Sequence, residues 1–145
     1  MRPVDHFTKE QQNQIVGAIK QAEHNTSGEI RVHIEAKCKK DVLDRAADVF
    51  AMLKMHKTEL RNGVLFYLSI EDRKFAILGD AGINAKVPTD FWDSVKNVVL
   101  ESFKSGNQTE GLVKGIIMAG EKLKTHFPYQ KDDVNELSDE ISFGK

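Results

Sequence analysis

The stretch Val64-Leu65-Phe66-Tyr67-Leu68-Ser69-Ile70-Glu71-Asp72-Arg73-Lys74-Phe75-Ala76-Ile77-Leu78-Gly79 decides the fold. Its first part, 64–70, is apolar on both faces of an extended chain, the pattern of a strand in the middle of a sheet. The polar link Glu71, Asp72 and Arg73 is too short for a crossover, so the strand at 74–79 must return antiparallel to its predecessor.

Upstream, residues 29–36 alternate strictly. Ile30, Val32, Ile34 and Ala36 share one face, and Glu29, Arg31, His33 and Glu35 share the other. This predicts a strand with one wet face, near a sheet edge. Between the two strands Asp41 can cap a helix whose stripe is Val42, Leu43, Ala46, Val49, Phe50 and Leu53 and which ends around Lys57. Asn62-Gly63 then suits the helix exit. A strand, helix, strand unit of this kind makes a parallel crossover. Ahead of it, Thr8 and Gln11 form a capping box for a helix over 8–25 that buries Ile15, Ile19 and Ala22.

Downstream, Pro88 introduces a helix with Phe91, Trp92, Val95, Val98, Val99 and Phe103 on one side, broken by Ser105-Gly106-Asn107. A further helix from near Thr109 buries Leu112, Val113, Ile116, Ile117 and Leu123, and its Gly111 and Gly115 permit close helix packing. We therefore expect an α/β fold: a three-layer α/β/α sandwich around a small mixed sheet, two parallel strands plus an antiparallel one with room for a fourth, and about four helices. A single domain over 1–128 is followed by an acidic tail at 129–145, either draped over the domain through Leu137, Ile141 and Phe143 or without fixed structure.

A chain of 145 residues suffices for one domain that buries roughly 70% of its unfolded surface. The formal net charge of -1 gives no field that would draw nucleic acid or anionic lipid. Lys37, Lys39 and Lys40 lack the interleaved aromatics of a base-stacking surface and read as a solvated strand end. With Cys38 as the lone cysteine, an internal disulfide and a cysteine-rich metal site are both excluded. No export-type apolar segment and no run of about 18 apolar residues is visible. These features lead us to expect a cytoplasmic monomer with no nucleic-acid or membrane partner.

With strands at 29 and 64 parallel and the third antiparallel, the starts of the first two and the finish of the third share one edge. Glu29, Asn62 and Asp80 then lie close together. Carboxylate and amide oxygens are hard ligands for Ca²⁺ or Mg²⁺, which require several of them at about 2.0–2.6 Å. Asp80 stands between Gly79 and Gly82, where the backbone can turn sharply, and Asp90 and Asp93 open the next helix. Each also has a plainer reading: an Asp in a Gly turn bonds its own backbone, and acids at a helix start complement its dipole. Arg31, on the polar face with Glu29, is expected to pair with it or to hold an anion. His6, His24, His33, His56 and His126 show no zinc spacing, and His33 reads as a surface residue. Cys38 lacks a glycine-rich phosphate loop and reads as inert.

Taken in order, Ser27-Gly28-Glu29-Ile30-Arg31-Val32, Asn62-Gly63-Val64-Leu65, Gly79-Asp80-Ala81-Gly82-Ile83, Phe91-Trp92, Phe103-Lys104-Ser105-Gly106 with Gly111-Leu112, and the tail Asn135 to Ile141 resemble the TPM domain family. Members share a small α/β/α sandwich and are described as phosphatases or as metal-binding accessory domains. The resemblance implies acidic binding residues at Glu29 and Asp80, with Asp90 or Asp93 beside them. Many relatives carry an export signal before the domain and a membrane helix with a Gly-rich tail after it. Neither is visible here, so roles of anchored relatives in photosystem repair or receptor assembly do not transfer. Three readings follow. The first is a non-catalytic module that binds Ca²⁺ or Mg²⁺ at the edge lined by Glu29, Asn62 and Asp80, supported by Gly79, Gly82 and Arg31, and presents that surface to another protein. The second is a metal-dependent phosphatase of low specificity in which Arg31 holds the ester. The third is an ion-free assembly domain that uses its tail or a strand edge.

Overall fold

A sheet that is apolar on both faces needs a layer of cover on each, and the computed structural model, which describes residues 2–130 and 135–144, has that arrangement. The elements in chain order are α1 (Pro3–His6), α2 (Lys9–Glu23), β1 (Glu29–Glu35), α3 (Val42–Met52), β2 (Gly63–Ser69), β3 (Lys74–Gly79), α4 (Ala81–Asn84), α5 (Asp93–Lys104), α6 (Gln108–Leu123) and β4 (Ser142–Phe143). The sheet order is β3-β2-β1-β4. β1 and β2 are parallel, with Glu29 opposite Gly63 and Glu35 opposite Ser69. β3 returns antiparallel, with Gly79 opposite Val64 and Lys74 opposite Ser69. The expected crossover and hairpin are both present.

The two faces of the sheet seed two cores. Ile30, Val32, Ile34, Val64, Phe66, Leu68, Phe75 and Ile77 pack with the apolar sides of α2, α5 and α6. On the other face Leu65, Tyr67 and Ala76 meet Ala46, Val49 and Phe50 of α3, with Met55 and Leu137 completing the cluster. Gly111 and Gly115 do hold helices close: a Cβ would fall 2.7 Å from Cβ of Ser102 and 2.5 Å from Cγ2 of Val99, so α6 lies directly on α5.

Three expectations need correction. The polar face of β1 is not wet: Glu29, His33 and Glu35 are 5%, 3% and 3% exposed. β4 pairs parallel with the outer side of β1, His33 opposite Ser142 and Ile34 opposite Phe143, which makes β1 an interior strand. The helix count is higher than four because α1 and α4 are four-residue turns, started by Pro3 and capped by Asp80, too short to show any apolar period. Finally, two helix limits move. α3 stops at Met52, where Leu53 caps it and Lys54 turns left-handed at φ 56°. α5 starts only at Asp93, leaving Phe91 and Trp92 in the turn before it.

In the C-terminal segment Leu137 joins the α3-side core, while Ile141 and Phe143 pack partly buried against the other. Residues 131–134 and 145 of the expected tail, and Met1, lie outside the described residues.

Candidate functional site

The topology brings Glu29, Asn62 and Asp80 to one end of the sheet. The Glu29 N–H donates to the Asn62 carbonyl at 3.1 Å and the Asp80 N–H to the Gly63 carbonyl at 2.9 Å. Their side chains nevertheless have separate partners. Asp80 accepts a two-pronged bond from Arg61, Nε to Oδ2 at 2.7 Å and Nη2 to Oδ1 at 2.8 Å, and caps α4 by accepting the Ala81 N–H at 2.7 Å. Burial alone would raise its pKa, but Arg61 and the Ala81 N–H outweigh it and hold the carboxyl below its ordinary value. Its charge is thus balanced within the fold. Arg61 reaches it from a left-handed backbone at φ 51°. Gly82 is required beside this turn, since a Cβ there would lie 2.1 Å from the Leu60 carbonyl oxygen and 2.6 Å from that of Arg61.

Glu29 is treated differently. Its Oε1 accepts the backbone N–H groups of Glu136 and Leu137 at 2.6 and 2.7 Å, so the C-terminal segment is tied to the start of β1. Burial pushes its pKa up to about 7 despite those two donors. At the end of α2, burial and a hydrogen bond shared with Asp139 push Glu23 up to about 8, and the Glu29 charge adds to the effect. Asp139 also accepts from Asn135 Nδ2 at 3.1 Å. Asn62 is 2% exposed; its Nδ2 donates to the Ser27 carbonyl at 3.0 Å, and its Oδ1 is buried without a hydrogen-bond partner. A cavity of about 140 Å³ opens here between Glu23, Ser27, Gly28, Glu29 and Asn135.

The remaining sequence candidates are placed elsewhere or used otherwise. Arg31 is half-buried, its Nε has no hydrogen-bond partner, and burial lowers its pKa; no ion pair joins it to Glu29 among the described residues. Asp90 and Asp93 are exposed, and Asp93 occupies the first turn of α5, where a carboxylate complements the helix dipole. Gly79 closes β3, its Cα facing Ile83 of α4. Among the described residues no group of three or more His, Cys, Asp or Glu side chains is gathered as around a bound metal.

The opposite end of β1 carries a polar network that the alternating pattern disguised. Glu35 accepts Nε and Nη2 of Arg45 at 2.8 and 2.9 Å, the hydroxyl of Tyr67, and Nε2 of His33 at 3.1 Å. Burial would raise its pKa, but these donors prevail and bring it to about 2. An ionised Glu35 can only accept, so His33 carries its proton on Nε2. His33 Nδ1 is then the acceptor for Ser142 Oγ at 2.8 Å, and this bond fastens β4 to β1. Burial lowers the His33 pKa, which keeps the ring neutral. The sequence signal for this network was the pair of ionisable residues on alternate positions of β1, together with Arg45 on the helix that follows.

Fold and corner together define a small three-layer α/β domain with a carboxylate-lined end to its parallel strands. A profile of the TPM domain matches residues 2–122, and the chain belongs to that family. It is similar to the BA42 protein of the psychrophilic bacterium Bizionia argentinensis, known from an NMR structure: 53% identity, 95% of each chain covered, TM-score 0.91. The N-terminal domain of a P. gingivalis protein shares the fold at 17% identity and TM-score 0.70, over 85% of this chain and 80% of that one. The N-terminal domain of the cg2496 protein from Corynebacterium glutamicum does so at 11% identity and TM-score 0.62, over 96% and 80%. No curated protein matches the chain. Among the described residues no helix is long and apolar enough to cross a membrane.

Proposed function

We propose that the corner at the start of β1 takes a divalent cation, Ca²⁺ or Mg²⁺, and that the domain is a non-catalytic module which offers this corner, with its C-terminal segment, to a protein partner. The observation that carries the reading is electrostatic: Glu23 and Glu29 hold protons near neutral pH because burial and their neighbours disfavour both charges. A cation supplies the positive charge that these groups otherwise obtain from protons. The donor chemistry fits a hard ion. Glu29 keeps a second oxygen beyond the one bonded to the backbone, Asn62 Oδ1 is unpaired, and Glu23 and Asp139 already share a hydrogen bond.

In this reading Glu29 would be the first ligand, with Asn62 Oδ1 as an unpaired amide oxygen at the same corner, and Glu23 and Asp139 would have to move to join it, since no three-carboxylate group is assembled among the described residues. Asp80 supports the corner through Arg61 and α4, and Asp90 and Asp93 stay outside the ligand set. Size favours ion binding over phosphate-ester hydrolysis, because about 140 Å³ is well below the roughly 300–1,000 Å³ of sites for organic ligands. Calorimetric titration of CaCl₂ and MgCl₂ at pH 7 tests the proposal. Wild type should bind one of them with proton release, visible as heats that change with the buffer's ionisation enthalpy. Glu29→Gln should lose the binding, and Asp80→Asn should retain it. No binding by wild type, or unchanged binding by Glu29→Gln, overturns the assignment.

A further inference from the structure

At the other end of the sheet from the carboxylate corner lies a larger opening. A cavity of about 680 Å³ sits where β1 and β4 finish, reaching from His33 and Glu35 to α3 and to residues 142–144. Its place in the fold is informative. From β1 the chain crosses through α3 to β2 on one side, whereas β4 lies on the other side of β1. The crevice outside the carboxyl ends of parallel strands is where open α/β sheets bind ligands, and β1 and β4 end together here. The volume falls in the range of small-molecule sites.

The lining has two halves. Met52, Leu53 and Phe143 give an apolar wall backed by the buried Val49, with Met52 left 62% exposed. Facing them is a basic rim whose members differ in what they already hold. Arg45 is engaged by Glu35 and balanced by it. Lys40 is paired with Asp48 at 2.7 Å. Lys37 and Lys39 line the same cavity, are exposed, and have no hydrogen-bond or ion-pair partner among the described residues. His33 is neutral and holds Ser142, so the floor brings no offsetting negative charge beyond the balanced Glu35. The crevice thus combines an apolar wall with two unmatched ammonium groups.

We propose that this crevice binds a small amphiphilic anion, an aliphatic chain ending in a carboxylate, with the chain on Met52, Leu53 and Phe143 and the carboxylate at Lys37 and Lys39. The site shares no lining residue with the cation corner, which lies at the opposite end of β1.

The test uses the whole protein and a homologous series of free carboxylates, hexanoate, octanoate and decanoate below their micellar concentrations, followed by heteronuclear NMR. Saturable shifts should cluster on the amides of 33–39, 49–53 and 142–144. Affinity should rise about fourfold for each added methylene. Octylamine, with the same chain and the opposite charge, should bind at least tenfold more weakly than octanoate. Lys37→Gln/Lys39→Gln should weaken octanoate tenfold or more, and Met52→Asp should weaken it further. All these positions are exposed, so the variants should keep the wild-type melting profile. Shifts centred elsewhere, no dependence on chain length, or equal binding of octylamine would overturn the proposal. Binding to anionic phospholipid vesicles without binding to free octanoate would overturn it in favour of a lipid surface.

Discussion

Glu29→Gln gives a direct test of how this fold treats its buried acid. The carboxyl of Glu29 rises from 4.5 to about 7 on folding, chiefly through burial. A proton is therefore held more tightly by the native chain than by the unfolded one. The sign follows: between pH 4.5 and 7 the native state binds more protons, so stability falls as pH rises through that window and is level above it. At ~1.4 kcal/mol per unit the fall attributable to Glu29 is about 3 kcal/mol. Glutamine keeps an Oε1 that can accept the Glu136 and Leu137 N–H groups but has nothing to titrate. The two proteins should be about equally stable near pH 4.5, where the native carboxyl is itself neutral, and the variant should be more stable by about 3 kcal/mol at pH 8. Urea denaturation at pH 4.5, 6, 7 and 8 in the presence of a chelator measures this. Some pH dependence should survive in the variant, because Glu23 is itself raised to about 8. Parallel profiles for the two proteins would show that Glu29 does not carry the penalty, and the electrostatic argument for a cation at this corner would fall with it.

Two glycines of opposite circumstance make a second pair of predictions. Gly82→Ala should cost about 3 kcal/mol, since its Cβ would collide with the carbonyl of Leu60 at 2.1 Å, whereas Gly17→Ala, with nothing within 4 Å, should stabilise α2 by about 0.5–1 kcal/mol. Thermal melts of both would refute the packing argument if the order were reversed. At the other end of β1, Arg45→Met removes the two-pronged partner of Glu35 and leaves a buried carboxylate supported only by Tyr67 and His33. The expected loss is about 3–5 kcal/mol at pH 7, and a loss under about 1 kcal/mol would mean that Tyr67 and His33 suffice.

The strand, helix, strand, hairpin order was legible because each signal is local: an apolar run, a capped amphipathic stripe, a three-residue link. What stayed hidden depends on partners far along the chain. Alternation at 29–36 shows that every second residue is polar, not that it is wet. Glu35 finds Arg45 at a separation of 10 residues and Tyr67 at 32, on different elements. Asp80 reads as a free carboxylate between glycines, and only the left-handed turn at Arg61, 19 residues earlier, reveals that its charge is taken. Glu29 is bonded to backbone N–H groups 107 and 108 residues away, and a backbone donor leaves no mark on sequence at all. β4, at two residues, is shorter than any period it could display.

One segment links the two ends of β1. Residues 136 and 137 donate to Glu29 at its start, and Ser142 bonds His33 while the Gly144 N–H donates to the Ile34 carbonyl near its finish. Between these anchors the chain passes from the α3-side core, where Leu137 packs, to the opposite face, where Ile141 and Phe143 pack. Leu137 is pinned in the α3-side core between these anchors. Because both sets of bonds fall on one short segment, a change in the charge on Glu29 bears on the same segment that forms the edge of the crevice at Ser142–Gly144. The carboxylate corner and the basic crevice are therefore two ends of one mechanically continuous element, and substitutions at Glu29 and at Ser142 should show non-additive effects on stability although the residues they alter do not touch.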